Sequence, residues 1–525
     1  MNARRLTMLA VILGSGVVFL DGTIVNVALE TIGRELPASL VGQLEGQTYV
    51  NSGYLAVLAA LLILAGALSD YYGRRRVFRI GLVGFGAASV ACGLAPTMEL
   101  LIAARLVQGA FGALLVPGSL SIITATFDGE ARGRAIGQWA AGTSGMIVLG
   151  PFVGGVLVQT LSWRAAFLIN VPLIALALYA ATAGVKESRD TEASGRFDWL
   201  GAGVVVMAVG GLAFGATRGQ ERAWQDTLAF VSLGLGAVAA AAVPWLMATR
   251  PSPLVPLALF RSRNFSVVNL STFVIYGALY VTLTFQALFL QGTLGYTPAA
   301  AGAMTVPSGL LLTFLSTRAG HLAARLGPRL FLTVGPALMA GGLLWLARIP
   351  ATSAAWEADP ADLASYVPGV DFLVDVLPGL LGFGVGISLV VAPLTTALMS
   401  SVPVRNAGLG SAINNAVSRV GSPLMSAVLF IVITATFYPS LAAKVPDVDV
   451  SSPDLRAQVQ PLARPRAGTD AALADAAREA STDAFHLAML VSAALCLAGA
   501  AINAAGIRNP SREGGASPVE AAPVG

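Results

Sequence analysis

Charge is what this chain most lacks: 11% of its 525 residues are Asp, Glu, Lys or Arg, where a soluble globular protein carries roughly 25%. It has two histidines and two cysteines, and its lysines are Lys186 and Lys444 alone. Each shortage excludes something. Two histidines, with no paired acidic motif at ligand spacing, give no reason to expect a metal site. No glycine loop runs into a lysine that could cradle a phosphate. A membrane-embedded, lipid-modifying enzyme therefore finds little support, and the chain does not read as an enzyme. Cys92 and Cys496 fall in separate apolar runs far apart in the chain, which argues against a disulfide framework and makes them inert packing residues. No basic strip is interleaved with aromatics, so nucleic acid is not an expected partner.

Apolar side chains fill the space that charge leaves, at 55% of the residues. Runs of about 20 residues, long enough to cross a bilayer as helix, lie at 7–29, 47–68, 77–95, 98–124, 135–158 and 163–184. A charged linker, 185–197, follows. Two more runs stand at 198–217 and 228–248, and then Pro251, Pro253 and Pro256 break any helix. Six further runs fit at 265–290, 298–318, 329–348, 373–399, 406–436 and 484–507. The chain reads as an all-α polytopic membrane protein with fourteen transmembrane helices. Met1–Leu20 has a basic start but no small-x-small cleavage site, so it reads as an uncleaved first span.

The arginines orient this count. With the amino terminus inside, the inner loops collect Arg4, Arg5, Arg74, Arg75, Arg76, Arg132, Arg134, Arg189, Arg261, Arg325 and Arg508, while the outer segment 349–372 is acidic. Both termini are then expected in the cytoplasm. The absence of a mitochondrial-type leader and the preference for Arg over Lys suggest a bacterial plasma (inner) membrane, the second by association rather than physics.

Residues 66–78, GALSDYYGRRRVF, form a tight basic turn between two spans. Asp70 stands at the end of its helix, the wrong place for an anion on that dipole, so it should find a donor elsewhere. The spacing recurs: Gly320 to Gly327 matches Gly66 to Gly73, with Ala324 where Asp70 stands. Such a repeat implies a two-half architecture.

Two charges lie inside early spans. An ionised Asp21 near the middle of the first costs roughly 2.5–3.5 kcal/mol on insertion scales. It reads as a proton carrier whose protonation alternates with a substrate, or as a carboxylate that bonds neighbouring helices. Arg105, in the fourth span, needs acceptors, either Asp21 or backbone carbonyls and Gln108. In the fifth, Gly142, Gly150, Gly154 and Gly155 recur on neighbouring turns beside Pro151, which should kink the helix, and Gly150 and Gly154 make a face that a partner helix can approach. Asn26, Tyr49, Tyr54, Tyr276, Gln286, Asn414 and Asn415 are polar or aromatic groups within spans and candidates to line a midplane substrate cavity.

Several stretches together resemble the major facilitator superfamily, and specifically its fourteen-span drug:proton antiporters, over essentially the whole chain. They are Leu20–Leu29 (LDGTIVNVAL, with Glu30 where a proline is usual), Gly66–Arg74, Arg105–Ala113 (RLVQGAFGA), Gly142–Gly155 (GTSGMIVLGPFVGG), Ser162–Pro172, Phe197–Gly201 and Leu290–Tyr296. The resemblance implies a major facilitator fold of two six-helix bundles, 1–184 and 265–508, the second including an outer loop at 437–483, whose alanine-rich stretch 468–482 reads as helix. The segment 185–264 would carry two extra central helices, and 509–525 a disordered tail. It further implies proton coupling through Asp21 and Arg105. Gly66, Asp70, Gly73, Arg74 and Arg75 would be a conformational latch, and the fifth-span glycines a gate against the other half. The expected partners are a small-molecule substrate, protons and the bilayer, with no cofactor beyond the proton gradient and a monomer as the working unit. The expected activity is export of amphipathic compounds by alternating access. A lipid exporter or nutrient transporter of the same fold, or a non-transporting sensor, are the alternatives.

Overall fold

The computed structural model describes residues 2–37, 43–189, 197–221, 224–359, 362–446, 448–466 and 468–509. Fourteen of its helices are long and apolar enough to cross a membrane. They are α1 (Ala3–Val25), α2 (Tyr49–Tyr72), α3 (Arg74–Gly93), α4 (Met98–Thr126), α5 (Gly129–Val158), α6 (Ala165–Gly184), α7 (Trp199–Gly219), α8 (Thr227–Thr249), α9 (Arg263–Leu294), α10 (Ala299–Leu326), α11 (Pro328–Leu346), α12 (Phe372–Ser400), α13 (Val404–Lys444) and α14 (Ala471–Gly506). No strand occurs among the described residues beyond an isolated Asp359–Asp362 bridge. Most of the linker expected at 185–197, and the expected tail from 510 on, lie outside the described residues.

Packing sorts the helices into two sets. In the first, α1 lies against α4, α5 and α6, α2 against α4, and α3 against α4 and α6. In the second, α9 meets α13 and α14, α12 meets α10 and α11, and α14 meets α11 and α13. Four contacts join the sets: α2 with α13, α5 with α10, α4 with α13 and α5 with α12. The added pair, α7 and α8, pack on each other, and α7 rests on α2 and α13. A Cβ at Gly211 would lie 2.8 Å from the Ser232 carbonyl and 2.9 Å from Gly236 Cα, so these backbones touch as small residues in membrane helices allow.

The first helix extends beyond its span to Glu35. There a Glu35 carboxylate oxygen accepts from the indole of the fully buried Trp163 at 2.9 Å, tying α1 to the loop before α6. The outer loop expected at 437–483 is helical at both ends: its alanine-rich stretch 468–482 is helix as expected, with the helix of α14 beginning at Ala471, while α13 runs past its expected end at 436 to Lys444. Asp470 caps α14 by accepting from the amides of Ala472 and Leu473, and Leu473, Ala476, Ala477 and Ala480 are buried, so this alanine-rich turn packs rather than protrudes.

Candidate functional site

The two intramembrane charges read from the sequence meet. Asp21 on α1 and Arg105 on α4 are both fully buried, and Arg105 Nη1 donates to Asp21 Oδ2 at 2.5 Å. The other carboxylate oxygen accepts from Gln108 Nε2 and from Asn170 Nδ2, each at 3.0 Å. All three neighbours of Asp21 are donors, the set that a carboxylate requires. Arg105 also donates to the Val50 carbonyl at 2.9 Å and to Gln108 Oε1 at 2.8 Å. Its guanidinium carbon sits 3.9 Å from the centre of the Tyr54 ring, a cation–π arrangement out of water.

Three helices supply the outer members of this network. Ser89 of α3 accepts from Gln108 Nε2 (3.3 Å) and Asn170 Nδ2 (3.0 Å) and donates to the Phe167 carbonyl (2.8 Å), which uses its hydroxyl fully. Arg105 Nη2 and Asn170 Oδ1 have no hydrogen-bond partner among the described residues. Close packing explains how Arg105 reaches the Val50 carbonyl on α2. A Cβ at Gly109 would stand 2.6 Å from the Tyr54 carbonyl, so any larger residue would push α4 away. Cys92, expected to be inert, lies at the edge of this site and its thiol donates to Gln108 Oε1 at 3.5 Å.

The second site is the junction of the two helix sets. The turns after α2, α4, α10 and α12 share one face of the membrane by parity. On that face Asp70 receives the amides that open α13: Gly408 N at 3.1 Å and Leu409 N at 2.9 Å. It also accepts from Arg74 Nε and Nη2 at 3.1 and 3.0 Å, and Arg74 reaches the Val404 carbonyl. An anion misplaced on its own helix dipole thus sits at the favourable end of another. Gly66 allows the approach, since a Cβ there would lie 2.5 Å from both the Gly408 carbonyl oxygen and Ala412 Cβ. Gly73, at φ +108°, makes the turn that an L side chain would resist. The next helix starts on a residue the sequence hid inside a charged linker: Glu187 accepts from Arg75 N (3.1 Å) and Arg76 N (3.0 Å).

The fifth-span glycines do not face the other half. A Cβ at Gly142 would strike Ile12, one at Gly150 would lie 2.9 Å from Thr23 Cβ, and one at Gly154 would lie 3.1 Å from Ile24. Their partner is α1, within the same set. Among the α5 residues that meet the other set are Gly133 and Gly137, which approach Ala324 and Thr317 of α10. The side chains of Pro151, Gly155 and Asn26 lie outside the described residues.

The candidate substrate contacts do not gather. Tyr54 is fully buried under Arg105 and donates to the Val18 carbonyl at 3.3 Å, so it belongs to the acid–arginine site. Tyr49 is bonded to Arg218 at the far end of α7. Asn414 donates to Asn269 (3.2 Å) and Thr272 (2.8 Å), and Asn415 to the Ser411 carbonyl of its own helix (3.0 Å). Gln286 is buried with its amide 4.0 Å from Met304 Sδ. Tyr276, half-buried and one turn from Thr272, has the Tyr280 ring 6.2 Å away.

Comparison with known proteins agrees with this architecture. The Major Facilitator Superfamily profile matches residues 11–426. The chain is 34% identical over 451 residues to the multidrug resistance protein Stp of Mycobacterium tuberculosis, covering 85% of this chain and 80% of that protein. It is 32% identical over 429 residues to the tetracenomycin C resistance and export protein of Streptomyces glaucescens, covering 81% of this chain and 74% of the other. In fold it is similar to the human organic anion transporter MFSD10 (TETRAN), with a TM-score of 0.59 at 16% identity over 95% of this chain and 99% of that one. Two helix sets joined at a repeated turn, fourteen spans and a profile match over most of the length lead to one conclusion: the chain belongs to the Major Facilitator Superfamily.

Proposed function

We propose that the protein is a proton-coupled antiporter that exports amphipathic small molecules by alternating access, with Asp21 as the proton site. The observation that carries this reading is the fully buried carboxylate of Asp21 held by three donors, one of them an equally buried arginine. A proton on Asp21 cancels its attraction for Arg105, and Arg105 then needs another acceptor, so α1 and α4 cannot stay as they are. Protonation and helix position become one variable. If substrate binding favours the ionised, paired arrangement and a proton favours the parted one, the two ligands exclude each other, which is the requirement for exchange. Two similar proteins named for multidrug resistance and for resistance and export support small toxic compounds as the cargo.

Arginine-rich turns support placing the closed junction in the cytoplasm, with both termini, in a bacterial plasma membrane. Asp70, Gly66 and Arg74 then act as the latch of the outward-turned state. Their loss of the α13 amides marks the inward one. A monomer with no cofactor suffices. The test is reconstitution in liposomes under an imposed pH gradient. A fluorescent amphipathic cation should accumulate against its own gradient, moving opposite to the protons. Flux in the same direction as protons, or flux indifferent to the gradient, overturns the proposal.

A further inference from the structure

Beside the α2–α3 turn of the second site, on the side away from the junction, a cavity of about 660 Å³ opens on the flank of α3 and α4. Its rim is Arg75, Arg76 and Arg79, and its wall is Ile80, Val83 and Phe111. The inward face of α3, with Val77, Phe78, Leu82 and Phe85, is buried against the bundle. The cavity face is not: Arg76, Arg79, Ile80 and Val83 are all exposed. In a membrane span such an uncovered apolar face meets lipid.

The residues are graded along the helix. Positions 76, 79, 80 and 83 follow the three- and four-residue spacing of one helical stripe. From Arg76 to Val83 the axis rises about 10 Å, the step from a headgroup to the upper acyl chain. The floor is shaped for a chain as well. A Cβ at Gly84 would overlap the Phe111 ring, so the ring lies flat across α3 and leaves a shallow trough beside it.

The charges at the rim are not satisfied internally. The acid in the cavity, Glu187, is used by the amides of Arg75, Arg76 and Ser188, so it caps the helix. Arg75 Nη2 donates to the Thr182 carbonyl at 2.8 Å, but its Nε has no partner. Among the described residues the guanidinium groups of Arg76 and Arg79 meet no hydrogen-bond acceptor or acid. Planar forks of this kind match phosphate oxygens two at a time.

We propose that this groove binds an anionic phospholipid from the leaflet beside the α2–α3 turn, its phosphate on Arg76 and Arg79 next to Arg75 and an acyl chain along Ile80, Val83 and Phe111. A soluble phosphate would match the rim and leave the apolar wall uncovered. A zwitterionic lipid would fit the wall and leave the rim's positive charge unbalanced. The site depends on the chain crossing the membrane and not on proton coupling or on what is exported.

Delipidated protein in detergent, titrated with phosphatidylglycerol and with phosphatidylcholine and followed by native mass spectrometry, tests this. Phosphatidylglycerol should bind in preference, and Arg76→Gln with Arg79→Gln should weaken it roughly 25-fold, about fivefold for each arginine near the surface. Arg76→Lys with Arg79→Lys should retain most of the affinity, and Arg261→Gln, at another exposed basic position, all of it. Equal binding of phosphatidylcholine, or an unchanged affinity in the double glutamine variant, overturns the proposal. So does displacement of the lipid by glycerol phosphate or inorganic phosphate at millimolar concentration, which would assign the site to a soluble anion. A measurement that needs no variant is photolabelling of the wild-type protein by phosphatidylglycerol carrying a diazirine on its acyl chain. Label on the peptides holding Ile80–Val83 and Phe111 supports the groove, and label elsewhere only contradicts it.

Discussion

The two largest of the four contacts between the helix sets, α2–α13 and α5–α10, are built on the same repeated turn and place their charges in opposite ways. At α2–α13, Gly66 lets the backbones touch and the acid is on the repeat itself: Asp70 is buried on two α13 amides and its partner Arg74 is buried beside it. At α5–α10, Gly320 occupies the matching place, 3.3 Å from the Gly133 carbonyl when given a Cβ, but the residue matching Asp70 is Ala324. A Cβ on Gly133 would come 2.7 Å from Ala324, so there is no room for a carboxylate. The acid comes instead from the opposite helix. Glu130 accepts from Arg325 Nη2 at 2.9 Å and lies 3.3 Å from His321 Nε2, and all three are open to solvent. The same backbone device therefore yields a buried latch on one side and a solvated clasp on the other. Burial, more than the presence of a pair, decides how much each holds.

Removing the buried acid should do the most. Asp70→Asn leaves the Arg74 cation without a counter-charge, a change that typically costs about 3–5 kcal/mol in buried pairs. Hydrogen exchange at the Gly408 and Leu409 amides should accelerate on the order of a hundredfold or more. Next is the close approach itself. Gly66→Ala forces its Cβ onto a backbone carbonyl and should cost about 1–3 kcal/mol of overpacking, stopping transport while the protein still inserts. Gly320→Ala, whose Cβ would find Ala392 Cβ at 3.1 Å, should keep most of its transport; equal loss in the two would erase the distinction drawn between the seams.

Where the repeat is truly alike, the halves should respond alike. Gly73 and Gly327 have φ of +108° and +89° with extended ψ of 128° and 150°, and alanine at either should cost about 1–3 kcal/mol from a backbone region that glycine alone adopts readily, seen as similar drops in melting temperature. The smallest effect belongs to the solvated clasp. Glu130→Gln should speed exchange in the first turns of α5 by no more than about fivefold. Raising salt to 1 M, where the screening length falls to about 3 Å, should reproduce that change in the wild type and leave the Gly408 and Leu409 amides protected.

The sequence disclosed those parts of the molecule that bear an obvious cost. Asp21 and Arg105 stand out because a charge within an apolar run needs a reason, and Asp70 because it opposes its own helix dipole. Their partners carried no such mark. Ser89 and Asn170 are ordinary polar residues within spans: the packing of α6 on α1 brings Asn170 to Asp21, and the packing of α3 on α4 and α6 brings Ser89 to Gln108 and Asn170. Glu187 was one acid among several in a linker. The glycine pattern was legible as close contact but not as to which helix it contacts: Gly150 and Gly154 meet α1, while Gly133, which crosses to α10, falls before the expected start of that span. Helix ends were unevenly legible: the extension of α13 to Lys444 has no long apolar run to announce it, whereas the start of α14 lies in the alanine-rich stretch 468–482, whose composition reads as helix.

Coupling of protons to cargo through Asp21 is tested most directly by Asp21→Asn in liposomes, with gradient-driven accumulation and gradient-free exchange of the same substrate measured side by side. Accumulation against the substrate gradient should disappear and its dependence on pH be lost, while exchange of labelled for unlabelled substrate persists. An asparagine variant that still accumulates substrate, with the wild-type response to pH, would contradict it.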